Sequence, residues 1–245
     1  MGLKTSLVTA AYAIAPRSAG HLDRWWWDRK LARALVAEAA RCRNAVDLFD
    51  AVRNSQFFPE QNRSEMCRLM ELLRVEPPRR VCEIGAGRGG NLFLIAQMSD
   101  PAAHFISIDI RFSFARPNCL ARLGKARQRI DCVEADSQSA ATRDRVESLL
   151  SGHSLDLLFI DGDHSYAGVK RDFDLYYPLV RSGGLVALHD IVPDFRTRYG
   201  QDTGTYTGEV PVFWNELKAQ HTDYLEFIDD PNQDGLGIGV IRKDG

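Results

Sequence analysis

From Arg79 onward, short β-rich runs alternate with helical stretches of about 10 to 16 residues, and few architectures accept that rhythm. The β-rich runs are Arg80–Ile84, His104–Ile110, Arg129–Ala135, Leu155–Asp161 and Leu185–Asp190. Segments Leu157–Ile160 and Leu185–Leu188 are apolar without a break, as strands covered on both faces must be. Between them Val169, Phe173 and Tyr176 give a helix one apolar stripe, and Ser182-Gly183-Gly184 is expected to turn the chain into the next strand. Two further runs, Tyr224–Ile228 and Gly237–Arg242, joined through Asp230–Gly235, suit a terminal antiparallel pair. The expected fold is therefore α/β, a doubly wound, seven-stranded and mostly parallel sheet closed by an antiparallel C-terminal hairpin. Pro193–Gly208 is polar, contains glycine and is too long for a simple connection, so it is a lid candidate ahead of a helix over Val210–Ala219.

Residues 1–58 carry no strand signal and are expected to form a helical extension for substrate covering or assembly, leaving 59–245 as the principal domain. Asp28–Cys42 is rich in good helix formers, and Met66, Leu69, Met70 and Leu73 recur at helical spacing within Asn62–Leu73. Trp25, Trp26 and Trp27 cannot all face one side of a helix, so at least one is expected to meet a partner subunit, a substrate or a loop, and a homo-oligomer is anticipated. Leu7–Ala15 loosely imitates a short secretory signal but is only weakly apolar, and reads instead as a mobile or docking segment. With 31 Lys+Arg against 33 Asp+Glu in 245 residues, the chain has no electrostatic footprint for nucleic acid. No apolar run approaches the roughly 20 residues of a membrane span. Five scattered cysteines without a C-x-x-C pair point to a reduced, cytoplasmic protein and away from a thiolate zinc site.

Two constellations carry chemistry. The first is Val81–Asn91, where a strand ends in a glycine turn that opens a helix. Gly85 and Gly87 let the backbone pass beside a ligand, and the helix start at Gly89–Asn91 offers free N–H groups to a carboxylate or phosphate. Glu83 precedes the turn, suited to a cationic amino-acid moiety, and Asp109 ends the next strand, where a carboxylate can accept both ribose hydroxyls. The second constellation joins Phe159–Tyr166 to Ala187–Asp190 at the carboxyl ends of neighbouring strands. Asp161 and Asp190 would sit side by side, and carboxylates gathered in this way call for a cation such as Mg²⁺. The alternative is that these acids only cap the following helices. His164, three positions after Asp161 and at a helix start, is placed to stay neutral and accept a proton.

At Glu83, Gly85, Gly87 and Gly89 the chain resembles the class I S-adenosylmethionine (SAM)-dependent methyltransferases, whose motif is E-x-G-x-G-x-G, over about residues 60 to 243. That resemblance implies that Glu83 and the turn of Gly85, Ala86, Gly87, Gly89 and Asn91 hold the methionine part, Asp109 the ribose, and Asp136-Ser137 the adenine edge. The I-D-G-D-H-x-Y segment at Ile160–Tyr166 and the strand ending at Asp190 look like those of the metal-dependent sugar and cephalosporin-type O-methyltransferases of natural-product pathways. Gly208–Trp214 is similar to their G-V-P-x-F-W segment, with its aromatic pair expected to serve packing. By resemblance, Asp161, His189 and Asp190 would bind the metal and His164 would be the general base. His189 departs from the acid found in the sugar enzymes, so another divalent ion such as Mn²⁺, or two carboxylates with water, would replace the Mg²⁺ arrangement. The implied activity is methyl transfer from SAM to a hydroxyl of a small-molecule acceptor, a sugar or a phenol. The rival readings are a nicotinamide-dependent oxidoreductase, disfavoured by Glu83 and the glycine spacing, and a non-catalytic SAM-binding scaffold.

Overall fold

The computed structural model describes residues 21–112 and 117–245, with side chains from residue 29 onward. The expectations for Leu7–Ala15 and for the side chains of Trp25–Trp27 fall outside the described residues. Seven strands form one sheet: β1 Arg80–Ile84, β2 His104–Asp109, β3 Arg129–Glu134, β4 Leu155–Ile160, β5 Val180–His189, β6 Tyr224–Phe227 and β7 Ile238–Arg242. Their order is β3-β2-β1-β4-β5-β7-β6. The first five run parallel, and β7 pairs antiparallel with both β5 and β6. This is the expected doubly wound sheet with its terminal hairpin.

The helices are α1 His21–Ala39, α2 Ala45–Arg53, α3 Arg63–Val75, α4 Gly90–Met98, α5 Pro117–Leu120, α6 Ala140–Leu150, α7 Tyr166–Tyr176, α8 Phe195–Tyr199 and α9 Val210–Gln220. Strand alternation divides the core in two. Phe105, Leu157, Phe159 and Ala187 face the layer built on α1 to α4, whereas Ile106, Ile108, Leu158 and Ile160 face α6, α7 and α9. Apolar clusters cover both faces of the sheet, which is why β4 and the second half of β5 read as unbroken apolar runs. Leu31, Leu35, Leu48, Phe49 and Phe57 of the N-terminal segment join the first layer, so this segment shares the core of the sheet.

Two boundaries differ from the sequence reading. Helix α1 starts at His21 and ends at Ala39, earlier at both ends than Asp28–Cys42. The triplet Ser182-Gly183-Gly184 lies inside β5 and is not a turn ahead of it. Gly183 has φ +72°, and the pairing with β4 shifts register between Leu155 and Leu157, so the glycines form a bulge. The ladder with the C-terminal segment continues through it, Gly183 N–H donating to the Lys243 carbonyl at 2.8 Å.

Between β1 and β4 the strand order reverses, because β2 and β3 lie to one side and β4 and β5 to the other. The carboxyl ends of strands at such a switch point open into a crevice. The Asp161 N–H donates to the Ile84 carbonyl at 2.8 Å and the Gly85 N–H to the Ile108 carbonyl at 2.9 Å, which stitches the tips of β1, β2 and β4 together.

Candidate active site

The glycine turn after β1 is shaped by close approach. Gly85 has φ +89°, and a methyl group on it would overlap the Asp161 carbonyl oxygen. Gly87, at φ +48°, has no atom within 4 Å of where a Cβ would stand, so its open side faces the crevice. Gly89 is the N-cap of α4. Asp109 Oδ2 accepts the backbone N–H groups of Ala86 at 3.0 Å and Gly87 at 3.3 Å, and its Oδ1 accepts that of Arg111 at 2.9 Å. The carboxylate thus locks the turn onto β2. A cavity of about 440 Å³ opens here, lined by Gly87, Asp109, Ile110, Asp136 and Ser137 among others. Asp136 Oδ1 accepts the Gln138 N–H at 2.9 Å, and the Tyr176 hydroxyl donates to the Ser137 carbonyl at 2.9 Å, so this rim is fixed.

Glu83 is placed differently from the sequence expectation. It is 1% exposed, lines neither cavity at the sheet edge, and Oε2 accepts the Ser107 hydroxyl at 2.7 Å. The reason is strand alternation: Glu83 points into the layer under α4, whereas the turn that follows is what reaches the crevice. Burial, reinforced by the charges of Asp161 and Asp109, pushes its carboxyl up to about 8. A carboxyl that stays protonated in the folded chain while ionising near its ordinary 4.5 in the unfolded one makes the folded state bind more protons between those values. Stability from this group is therefore present at low pH and declines as pH rises through that window, by at most about 1.4 kcal/mol per pH unit. Thermal melts of Glu83→Gln should show that decline removed, with the variant gaining on the parent more at pH 8.5 than at pH 5. Equal differences at both pH values would contradict the buried neutral carboxyl.

Beside the glycine turn a second cavity, of about 410 Å³, holds the carboxylate–imidazole cluster. Asp161, just past β4, accepts at Oδ1 from His189 Nδ1 at 3.1 Å and at Oδ2 from Gln61 Nε2 at 2.7 Å and Asn91 Nδ2 at 3.3 Å. Asp190 adopts φ +63°, a left-handed conformation that aspartate tolerates better than most residues, and this is backbone strain at the site itself. Its Oδ2 lies 3.3 Å from His189 Nδ1 and 3.4 Å from His164 Nε2. Neither acid caps a helix: Ser165 caps α7, Asp194 caps α8, and Asp163 accepts the Ser165 N–H. Desolvation alone would raise the Asp161 carboxyl, but His189, with help from His164 and Gln61, outweighs it and holds the group below the usual carboxylate range. Desolvation works in the opposite sense on His189, and there the two flanking carboxylates prevail and push the imidazole well above its ordinary value.

His164 Nδ1 lies 3.0 Å from the Tyr206 carbonyl, which accepts only, so Nδ1 carries a hydrogen and, in the neutral ring, Nε2 is left with the lone pair. The Tyr206 ring stacks on the imidazole at 5.7 Å and 13°. The Gly208 region fixes the same histidine from the backbone, with the Glu209 N–H donating to the His164 carbonyl at 2.8 Å. Two acceptors, His164 Nε2 and Asp190 Oδ2, thus face each other and call for a proton or a cation between them. Ligand atoms of Asp161, His164 and Asp190 all lie within 4.8 Å of one another, which fits a divalent ion with mixed oxygen and nitrogen donors. The set expected from sequence had His189 in place of His164. In the structure His189 Nδ1 already bridges the two carboxylates, and it is His164 whose lone pair converges with them.

The lid candidate is tied down. Asp194 accepts the backbone N–H groups of Thr197 at 2.7 Å and Thr207 at 3.0 Å, and Asp234 accepts that of Phe195 and the Thr203 hydroxyl. Its inner edge, Gly204–Tyr206, walls the second cavity. Trp214 and Phe213 are buried in the second core layer, Trp214 Nε1 donating to Glu226 at 2.7 Å, so the aromatic pair packs as expected. Sequence reasoning missed Gln61 and Tyr206. Neither sits in a motif, and only the fold brings them to the sheet edge.

Residues 82–191 match a methyltransferase-domain family. An uncharacterized protein of Acanthamoeba polyphaga mimivirus is 31% identical over 119 residues, 44% of this chain and 49% of that protein, so the chain matches about half the length of this curated relative. Among solved structures, the O-methyltransferase TomG from Streptomyces achromogenes, involved in tomaymycin synthesis and bound to SAM, superposes with a TM-score of 0.58 at 16% identity, over 89% of this chain and 99% of that one. An O-methyltransferase from Bacillus cereus bound to S-adenosylhomocysteine (SAH) gives 0.57 at 14% identity over 88% and 100%. MycE of the mycinamycin biosynthetic pathway, bound to Mg and SAH, gives 0.51 at 20% identity over 80% and 54%. The fold is that of the class I, Rossmann-like methyltransferases. The segment that matches the methyltransferase-domain family runs from within β1 to just past β5 of this sheet. Among the described residues no helix is long and apolar enough to cross a membrane.

Proposed function

We propose that the protein transfers the methyl group of SAM to a hydroxyl oxygen of a small-molecule acceptor, a sugar or glycosylated natural product. The observation that carries this reading is the meeting of two cavities at shared residues Gly85, Gly87 and Asp161, one lined by ribose- and adenine-type partners, the other by the carboxylate–imidazole cluster. Asp109 is the ribose carboxylate, with Asp136-Ser137 along the adenine edge and the methionine end crossing the turn of Gly85, Ala86 and Gly87. That direction carries the sulfonium methyl toward Asp161 and His164.

The reaction is an in-line displacement. The acceptor oxygen bonds to the methyl carbon, the carbon–sulfur bond breaks with its electron pair on sulfur, and the hydroxyl proton goes to His164 Nε2. Tyr206 holds His164 in the tautomer that can take this proton, by its carbonyl and by its ring. A divalent cation held by Asp161 and Asp190 would supply Lewis acidity that lowers the pKa of a bound hydroxyl. His189 and Gln61 favour the ionised form of Asp161, Asn91 helps to fix its orientation, and the Gly204–Tyr206 edge closes the cavity against water.

His164→Ala should lower turnover about a hundredfold, the scale of a lost general base, with SAH affinity unchanged. Titration of Mn²⁺ into the same variant separates the two roles open to Nε2. Unchanged ion affinity supports the base, and near-normal turnover with weakened ion binding would make His164 a ligand only.

A further inference from the structure

Tyr206, Thr207, Gly208 and Glu209 are consecutive, and every one of them is engaged at or behind His164. The Tyr206 carbonyl faces His164 Nδ1 at 3.0 Å, and its ring lies along the imidazole. Thr207 is fully buried and anchors the segment: its N–H donates to Asp194 Oδ2 at 3.0 Å, and its hydroxyl oxygen accepts the Asp194 N–H at 3.2 Å. Gly208, at φ +56°, runs so close to the histidine backbone that a Cβ on it would overlap the His164 carbonyl oxygen and stand 2.9 Å from the His164 Cβ. Glu209 holds at two points, its N–H donating to the His164 carbonyl at 2.8 Å and its Oε2 accepting the Tyr166 N–H at 3.0 Å.

The Glu209 side chain is spent in an unusual way. It stands at the N-cap of α9, where a side-chain oxygen ordinarily serves its own helix. Its carboxylate makes no bond there and reaches α7 instead. Ser165 already satisfies the Gly168 N–H of α7, and Glu209 takes the Tyr166 N–H two residues earlier. His164 is therefore fixed at its carbonyl, at the peptide that follows Ser165, along its backbone and at its ring. With the backbone held, the ring has one way to lie: Nδ1 toward Tyr206 and Nε2 3.4 Å from Asp190 Oδ2. We propose that Gly208 and Glu209 are positioning residues for His164, and that the strap Tyr206–Glu209 is what makes this imidazole a competent proton acceptor. The inference rests on the reading of His164 as the base. Neither residue touches the reacting atoms. Tyr206 also walls the second cavity, so one anchored segment sets both the acceptor's surroundings and the direction of the base. A displacement of about 1 Å in such a group costs on the order of a hundredfold in rate.

The Nδ1–H of His164 reports on the strap directly, in protein that holds neither SAM nor acceptor. With isotope-labelled histidine, a ring N–H bound to a carbonyl exchanges slowly with water and gives its own NMR signal. The signal missing from His164→Ala is that of His164. The unmodified protein should show it, and Gly208→Ala should lose it as the new methyl pushes the histidine backbone off the strap. In Glu209→Ala this proton should exchange about tenfold faster. Glu209→Gln keeps an acceptor oxygen for the Tyr166 N–H and should restore the exchange rate to within about threefold of the parent. Turnover should follow the ring. Gly208→Ala should lower it about a hundredfold in the parent but less than about threefold in His164→Ala, because both changes act on one group. Absence of the protected signal from the unmodified protein would overturn the strap, and so would its survival in both Gly208→Ala and Glu209→Ala. Equal losses of turnover from Gly208→Ala in the two backgrounds would overturn the positioning role, since the effect would not run through His164. Near-normal turnover of His164→Ala would overturn the base reading, and the positioning role with it, whatever the exchange rates.

Discussion

Gly85→Ala should abolish measurable SAH binding, a loss of about a thousandfold or more, in a chain that still shows its α/β far-ultraviolet spectrum. Two effects add at this residue. Its φ of +89° is strained for any residue with a Cβ. The new methyl would also overlap the Asp161 carbonyl oxygen, which belongs to backbone and cannot swing aside. Relief requires the tips of β1 and β4 to part, and the hydrogen bond from Asp161 N–H to the Ile84 carbonyl, at 2.8 Å, resists that. The turn, the Asp109 carboxylate that anchors it and Asp161 would all be displaced together. Gly87→Ala is the internal comparison: its Cβ would stand in open space, so binding should weaken only about tenfold, mainly through the left-handed backbone. Similar losses for the two variants would contradict the close approach at Gly85.

Asp161→Asn should cost turnover about a thousandfold and lower the melting temperature measurably. The substitution keeps size and shape, but three donors converge on this carboxylate, from His189, Gln61 and Asn91. An amide presents one acceptor and one donor, so at least one of those three would face another N–H group. The raised proton affinity of His189 depends on Asp161 and Asp190 together, so it should fall in the variant, visible as a lower midpoint in an NMR titration of the imidazole. Loss of a preorganised charge at the reacting end is worth two to three orders of magnitude in rate. Turnover within tenfold of the parent would take Asp161 out of the reaction.

What could be read from sequence divides along physical lines. The strands were legible because both faces are buried, so apolar runs such as Leu157–Ile160 carry their own signal. The acids at the strand ends were legible because strand order sends every carboxyl end to one edge, and Asp109, Asp161 and Asp190 do arrive there. Side-chain direction was less so. Glu83 lies two residues before the turn and was expected at the ligand, yet alternation along β1 turns it into the core. The direction of each imidazole was not legible either, because the backbone at Asp190 and the carbonyl of Tyr206 decide which ring nitrogen of His189 and His164 faces which acid. Ser182–Gly184 read as a turn because a glycine bulge within a strand has the same composition as a turn. Gln61 carried no local signal at all. Its importance comes from a contact with Asp161 across the chain, which periodicity and motif spacing do not encode.

Under the proposed function, the crevice between β1 and β4 binds SAM at the sheet's switch point. Calorimetric titration of the full chain with SAM, in buffer containing Mg²⁺ or Mn²⁺, tests it most directly. Saturable binding at one site per chain, lost in Gly85→Ala, is the expected result. No binding to a protein shown by its melting transition to be folded would contradict it.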